Sequence, residues 1–151
     1  MVYVLNKNGC PLMPTNRHGK VKHLLKDGKA KVVKRCPFTI KLTYETTNYV
    51  QNLTLGVDTG SKTFGTAVSK DNGDIIYMSE VTVRDDITNK MTQRASYRRN
   101  RRNRKTRYRK ARWLNRANSI RSDRFSPTMQ SKLHSHVKEI EYIKSILPIT
   151  K

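Results

Sequence analysis

Three features of the sequence predict an α/β protein: a small basic β-α-β domain, a partial sheet domain, and a long arginine-rich helix. Short apolar stretches bounded by Asn-Gly, Asp-Gly and Pro punctuate the chain as far as Arg84, at the length and spacing of strands and turns. Neither Gly nor Pro occurs between Asp86 and Pro127, and the intervening Arg, Lys, Met and Ala hold helix well. Beyond Pro127 apolar residues recur every three or four positions, the period of an amphipathic helix. The length of 151 residues suits one ordinary domain, or one small and one partial domain.

The first element is a strand over Val2 to Asn6, where apolar and polar residues alternate before the Asn8-Gly9 turn. Pro11-Leu12-Met13-Pro14 follows as an extended corner fixed by its prolines. Lys20 to Lys26 places Val21, Leu24 and Leu25 on one side of a short helix that Asp27-Gly28 ends. Val32, Val33, Phe38, Ile40, Leu42 and Tyr44 then read as strand residues interrupted by Pro37. These elements make a basic unit over residues 1–52.

Residues 53–84 read as three antiparallel strands. Leu53, Leu55 and Val57 lead to Asp58, Gly60 permits a tight turn, Phe64 to Val68 returns, Asp71-Asn72-Gly73 turns again, and Ile75 to Val83 closes the set. A carboxylate at a strand end beside glycines is placed to hold Mg²⁺ next to a phosphate. The competing reading of Asp58 is a turn-capping residue. Strand-Asp-x-Gly-hairpin also opens two kinds of domain, the RNase H-like nucleases and the actin-like ATPases. The element that follows favours a polynucleotide over a nucleotide.

That element spans residues 85–118, with Asp85 and Asp86 expected to complement the N-terminus of a helix. From Arg94 to Arg116, Lys or Arg fills 12 of 23 positions, and no acidic residue appears. Arg94, Arg98, Arg101, Lys105, Arg109, Arg112 and Arg116 recur at three or four residues along one face, while Arg99, Arg102, Arg104, Arg107 and Lys110 load the others. Like charges at i,i+4 repel by a few tenths of a kcal/mol per pair, so an anion is expected to relieve them. The planar guanidinium fork suits phosphate oxygens. Tyr97, Tyr108 and Trp113 interleave the charges and could stack on bases or pack on neighbouring domains.

The last segment, residues 119–151, begins as a polar loop. Ser126-Pro127 caps a helix whose stripe of Met129, Leu133, Val137, Ile140, Ile143 and Leu147 should lie on the sheet. Ile149-Thr150-Lys151 looks like the start of a further strand.

The net charge of +21 and isoelectric point near 10.4 make a polyanion the expected partner, with steep salt dependence. A membrane is disfavoured, since no apolar run reaches spanning length and the basic stretch lacks an apolar face. The opening MVYVLNKNG turns polar after five residues, so no signal peptide and a cytoplasmic location are expected. Cys10 and Cys36 read as reduced thiols; with His18 and His23 between them they match no short zinc spacing. His134 and His136 read as surface residues.

Taken together, Pro11-Leu12-Met13-Pro14, Leu24 to Ala30 (LLKDGKA), Gly56-Val57-Asp58-Thr59-Gly60, and Arg98-Arg99-Asn100-Arg101-Arg102 continuing through Arg112 closely resemble the N-terminal portion of IscB proteins. These are transposon-encoded, RNA-guided DNA endonucleases related to the CRISPR effector nucleases. The resemblance implies a PLMP domain in the first fifty or so residues, and a first segment of a split, RNase H-like RuvC domain with Asp58 as catalytic carboxylate and metal ligand. It also implies a bridge helix lying on guide RNA and the guide-target heteroduplex, so that guide RNA, target DNA and Mg²⁺ in a completed RuvC site are the expected partners and cofactor, at the bacterial nucleoid. The bridge helix would read backbone and shape while base pairing reads sequence. Relatives continue into a second RuvC strand bearing a Glu, an HNH insertion and a third RuvC segment, whereas this sequence stops at Lys151. The sequence then reads either as a fragment of a longer nuclease or as a natural short product, a stand-alone, non-catalytic RNA binder, with another chain as a further source of the remaining nuclease segments. Asp58 cannot by itself place two metal ions, and Asp71, Asp74, Glu139 and Glu141 read as turn or outer-face residues. The chain alone is therefore expected not to cut DNA.

Overall fold

A computed structural model of the chain describes residues 1–105 and 125–151, with Lys105 described only as helix backbone. The expected strut from Thr106 to 118, and with it Arg107, Arg109, Lys110, Arg112 and Arg116, lies outside the described residues. So do Tyr108, Trp113 and most of the expected loop before Ser126.

The N-terminal unit contains β1 (Val2–Leu5), β2 (Pro11–Thr15), α1 (His18–Lys26), β3 (Ala30–Lys34) and β4 (Thr39–Leu42). It is thus richer than the expected β-α-β unit: Pro11-Leu12-Met13-Pro14 is itself a strand. Proline is tolerated there because β2 is an edge strand of a sheet ordered β2-β1-β4-β3. β1 pairs antiparallel with β2 and parallel with β4. The α1 segment makes the crossover, and it ends as expected at Gly28, whose φ of +69° is the left-handed conformation that glycine adopts freely. Val2, Val21, Ala30, Ile40 and Leu42 form the core beneath α1.

The second sheet is ordered β5-β6-β7, from β5 (Leu53–Asp58), β6 (Thr63–Lys70) and β7 (Ile75–Thr82), all antiparallel. Gly60 is required in the turn after β5, because a Cβ there would sit 1.8 Å from the Thr63 carbonyl oxygen. α2 (Ile87–Lys105) follows, and after the undescribed stretch α3 (Pro127–Ile146) returns to the sheet. Ser126 caps α3 by accepting a hydrogen bond from the Met129 N–H at 3.3 Å, with Pro127 in the first turn.

The two sheets share a core. Tyr3 from β1 packs with Leu53, Val68, Ile143, Ile146 and Leu147, and Met13 lies against the same cluster. Val2 and Tyr3, pointing to opposite faces of β1, serve one core each, the alternation that the sequence shows. Lys34 adds a cation-π contact over Tyr142 at 4.8 Å.

Ile149-Thr150-Lys151 does run beside β5. The Lys151 N–H donates to the Leu53 carbonyl at 3.2 Å, and the Leu55 N–H donates to the Lys151 carbonyl at 2.9 Å. That alternation around one residue is the bonding of a parallel pair. The Thr150 hydroxyl also accepts from Leu53 N–H at 3.0 Å and donates back to the Leu53 carbonyl at 2.9 Å.

The stripe expected on α3 is corrected in its first half. Ile143, Ile146 and Leu147 are buried, but Met129, Leu133 and Val137 are about half exposed, at 49, 44 and 51%. Steps of four residues drift about 40° around a helix of 3.6 residues per turn, so a stripe followed upstream from Ile140 rotates off the sheet. The seat is occupied instead by His136, stacked on Phe64 with ring centroids 4.1 Å apart, and by Glu139. Neither is the outward-facing residue that the sequence led one to expect.

Candidate nucleic-acid interface

Among the described side chains of α2, burial is confined to its base. Ile87 and Met91 are half-buried, while every residue from Thr92 to Arg104 is exposed. That exposed stretch is about 20 Å long at 1.5 Å per residue. No acidic residue occurs within α2. Asp86 immediately precedes it, at the helix N-terminus where the sequence places a carboxylate, and it also ties two basic side chains. Its oxygens hold Arg84 through Nε and, at 3.1 Å, through Nη2, and they hold Lys90 Nζ at 2.6 Å. These hydrogen bonds, from Arg84 first and then Lys90, keep the Asp86 carboxyl well below the usual carboxylate range. The Asp86 carbonyl accepts the Lys90 N–H at 3.0 Å, which closes the first turn.

The consequence for the rest of α2 is electrostatic. Arg94, Arg98, Arg99, Arg101, Arg102 and Arg104 all lie on the exposed stretch, with Arg94–Arg98 and Arg98–Arg102 at the i,i+4 spacing where like charges oppose each other. Tyr97, 70% exposed, stands among them. A cylinder carrying guanidinium groups on several sides can meet phosphates of more than one strand, each pair a charge-assisted and often bidentate contact.

Asp58 lies apart from this helix. It is exposed, at the end of β5, opposite Gly65. Three other carboxylates of the two-sheet body are engaged elsewhere. Asp71 accepts from Asn52 Nδ2 at 3.2 Å, and Asp74 from Asn72 Nδ2 at 2.8 Å with Lys70 Nζ 3.6 Å away. Glu139 accepts from the Ser79 hydroxyl at 2.8 Å and the Tyr77 hydroxyl at 3.3 Å. Ser79 is in turn 2.6 Å from the Thr66 hydroxyl, so Glu139 completes a polar seam between β6, β7 and α3. Burial, ahead of the nearby Glu139 charge, pushes the Tyr77 phenol up. Among the described residues no group of three His, Cys, Asp or Glu side chains could hold a metal ion. Two-metal cleavage needs carboxylates that place ions about 3.5–4 Å apart, and Asp58 with these three carboxylates, each held by other side chains, does not form such a centre. Cys10 and Cys36 are both free and exposed.

The sequence pointed to the arginine helix and to Asp58, but not to the seam through Glu139 or to the half-buried His136. Alternation in β7 had a readable clue to the first: Tyr77 and Ser79 are two apart, so both face one side of the sheet, and a helix laid there must bring an acceptor.

Among the described residues no helix is long and apolar enough to cross a membrane. The family model described as RRXRR protein matches residues 2–151, and the pattern of that name is present as Arg98-Arg99-Asn100-Arg101-Arg102. No curated protein matches the chain.

Proposed function

The chain belongs to the RRXRR family, and from that premise we propose that it binds guide RNA, and the hybrid of that RNA with target DNA, through the arginine face of α2. The family is associated with IscB-like nucleases, which supports a nuclease-associated RNA-binding role. The observation that carries the reading is the stretch from Thr92 to Arg104, exposed throughout and without an acidic residue. Arg94, Arg98, Arg99, Arg101, Arg102 and Arg104 are the proposed phosphate contacts within it, joined by Lys105, Arg107, Arg109, Lys110, Arg112 and Arg116 from the sequence pattern. Tyr97 is offered as a base-stacking platform among them.

In this reading Asp58 is the first carboxylate of a RuvC-type site whose other carboxylates and Mg²⁺ would come with further nuclease segments. A second reading, an RNA binder without cleavage activity, is supported by the finding that among the described residues no group of three His, Cys, Asp or Glu side chains could hold a metal ion. Mg²⁺-dependent DNA cleavage by the purified chain, lost in Asp58→Ala, would eliminate the second reading.

The RNA-binding role is tested by the salt dependence of binding to a labelled RNA stem-loop. The wild-type chain is expected to show a steep linear fall of log affinity with log salt concentration, and the Arg98→Gln, Arg102→Gln double variant a slope smaller by about two. Affinity indifferent to salt would overturn the proposal.

A further inference from the structure

The loop entering α2 and the first half of α3 enclose an open groove of about 480 Å³, lined by Arg84, Pro127, Gln130, Ser131, His134, Ser135 and Lys138. Gln130, His134 and Lys138 are one helical turn apart, so they form a row of side-chain nitrogens with a step of about 6 Å. Helical periodicity places this row on the side of α3 away from Ile143, the residue buried against the sheet. Gln130, His134 and Lys138 are all exposed, so core packing does not account for them. No Asp or Glu occurs from Pro127 to Lys138, and among the described residues none lines the groove.

Arg84 closes the other wall. Asp86 takes its Nε and Nη2, which fixes the plane of the guanidinium and leaves the remaining N–H groups of the fork for a ligand. Ser131 and Ser135 add hydroxyls at the floor, that of Ser135 already donating to the Ser131 carbonyl at 3.0 Å. A guanidinium, an ammonium, an imidazole, an amide and hydroxyls converging without a carboxylate make a site for a phosphate group.

We infer that this groove binds a phosphodiester of the same polynucleotide that lies on α2, with Arg84 and Lys138 as the charged contacts and His134 between them. The inference rests on the RNA-binding reading above and extends it to a second surface, borne by α3. A polynucleotide is favoured over a free phosphate ion because the groove is open and its donors form a row, which a strand can follow. Arg84 stands three residues ahead of Ile87, where the arginine helix begins, so a strand leaving α2 reaches the groove from its base.

The test uses the full chain and compares a His134→Gln, Lys138→Gln double variant with Lys144→Gln, which makes the same loss of formal charge on an exposed residue of α3 outside the groove. Binding of the labelled RNA stem-loop is measured across a salt series. The groove variant is expected to weaken binding several-fold and to lower the salt slope by about one, with Lys144→Gln close to wild type. Equal behaviour of the two variants, with wild-type binding intact, would overturn the groove and leave the proposed function standing. Failure of the wild type to bind RNA would overturn both. In a second arm, the His134 ring signals are followed by NMR. They are expected to move with a short RNA oligonucleotide and not with inorganic phosphate at the same phosphate concentration; an equal response to the free ion would overturn the polynucleotide assignment.

Discussion

The two long helices are nearly equal in length, 19 residues in α2 and 20 in α3, yet they are held in place by different physics. α3 is fixed by burial: Ile143 and Ile146 are fully enclosed, His136 stacks on Phe64, and Glu139 joins the hydroxyl seam of β6 and β7. Among its described side chains α2 buries nothing beyond Met91, and its base is tied by the Arg84–Asp86–Lys90 cluster. Most helical stability in proteins comes from packing an amphipathic face. Along its exposed stretch α2 forgoes that source and carries like charges at i,i+4 besides. The comparison separates residues that hold the fold from residues that the fold leaves exposed.

The sharpest way to break the comparison is Ile143→Ala. Emptying this fully buried position is expected to cost about 2–5 kcal/mol, read as a lowered midpoint in urea unfolding, whereas Arg98→Gln on α2 should change stability by less than about 0.5 kcal/mol. Comparable losses from both would show that α2 has a structural seat after all. Glu139→Ala should have a smaller effect. Removing the acceptor of Ser79 and Tyr77 is expected to cost about 1 kcal/mol, since Ser79 keeps Thr66 as a partner; no change in the unfolding midpoint would demote the seam to a surface contact.

The smallest effect concerns the base of α2 and its dependence on pH. The Asp86 carboxyl is depressed in the folded chain, so near pH 4 the unfolded state binds more protons and stability rises with pH. The contribution of the cluster is therefore complete above the ordinary carboxylate range and disappears only as pH falls through the depressed value. An NMR titration of the Asp86 side chain should show its midpoint below the ordinary carboxylate range. A midpoint in the ordinary range would mean that Arg84 and Lys90 do not hold it in solution.

Some of this was legible in the residues themselves. The β5-β6-β7 meander follows from alternating apolar residues and from Gly60 and Asn72-Gly73, because turn chemistry and strand period are local properties. The Ser126-Pro127 start of α3 and the Asp27-Gly28 end of α1 are local for the same reason. Local signals also carried the Arg98-Arg99-Asn100-Arg101-Arg102 pattern that marks the family, and Asp58 at its strand end. The strand nature of Pro11 to Thr15 was hidden, because proline reads as a breaker until an edge position is known. The face of α3 was misjudged for a related reason: Met129, Leu133 and Val137 have the correct period, but period does not say where along the helix the sheet lies.

The sequence alone determined the electrostatic character of the protein: a chain with 32 basic and 11 acidic residues is strongly positive whatever its fold, because net charge survives every rearrangement of the backbone. It also determined the strands, turns and helix starts, which depend on neighbours a few residues away. Tertiary structure decided what depends on distance in space. It set Tyr3 of the first sheet into the core of the second, brought Glu139 to Ser79 across 60 residues of chain, laid Lys151 beside β5, and set Arg84 on the same groove as His134 and Lys138. Such meetings leave no local mark, since each partner's side chain is compatible with many environments and only the packed chain selects one.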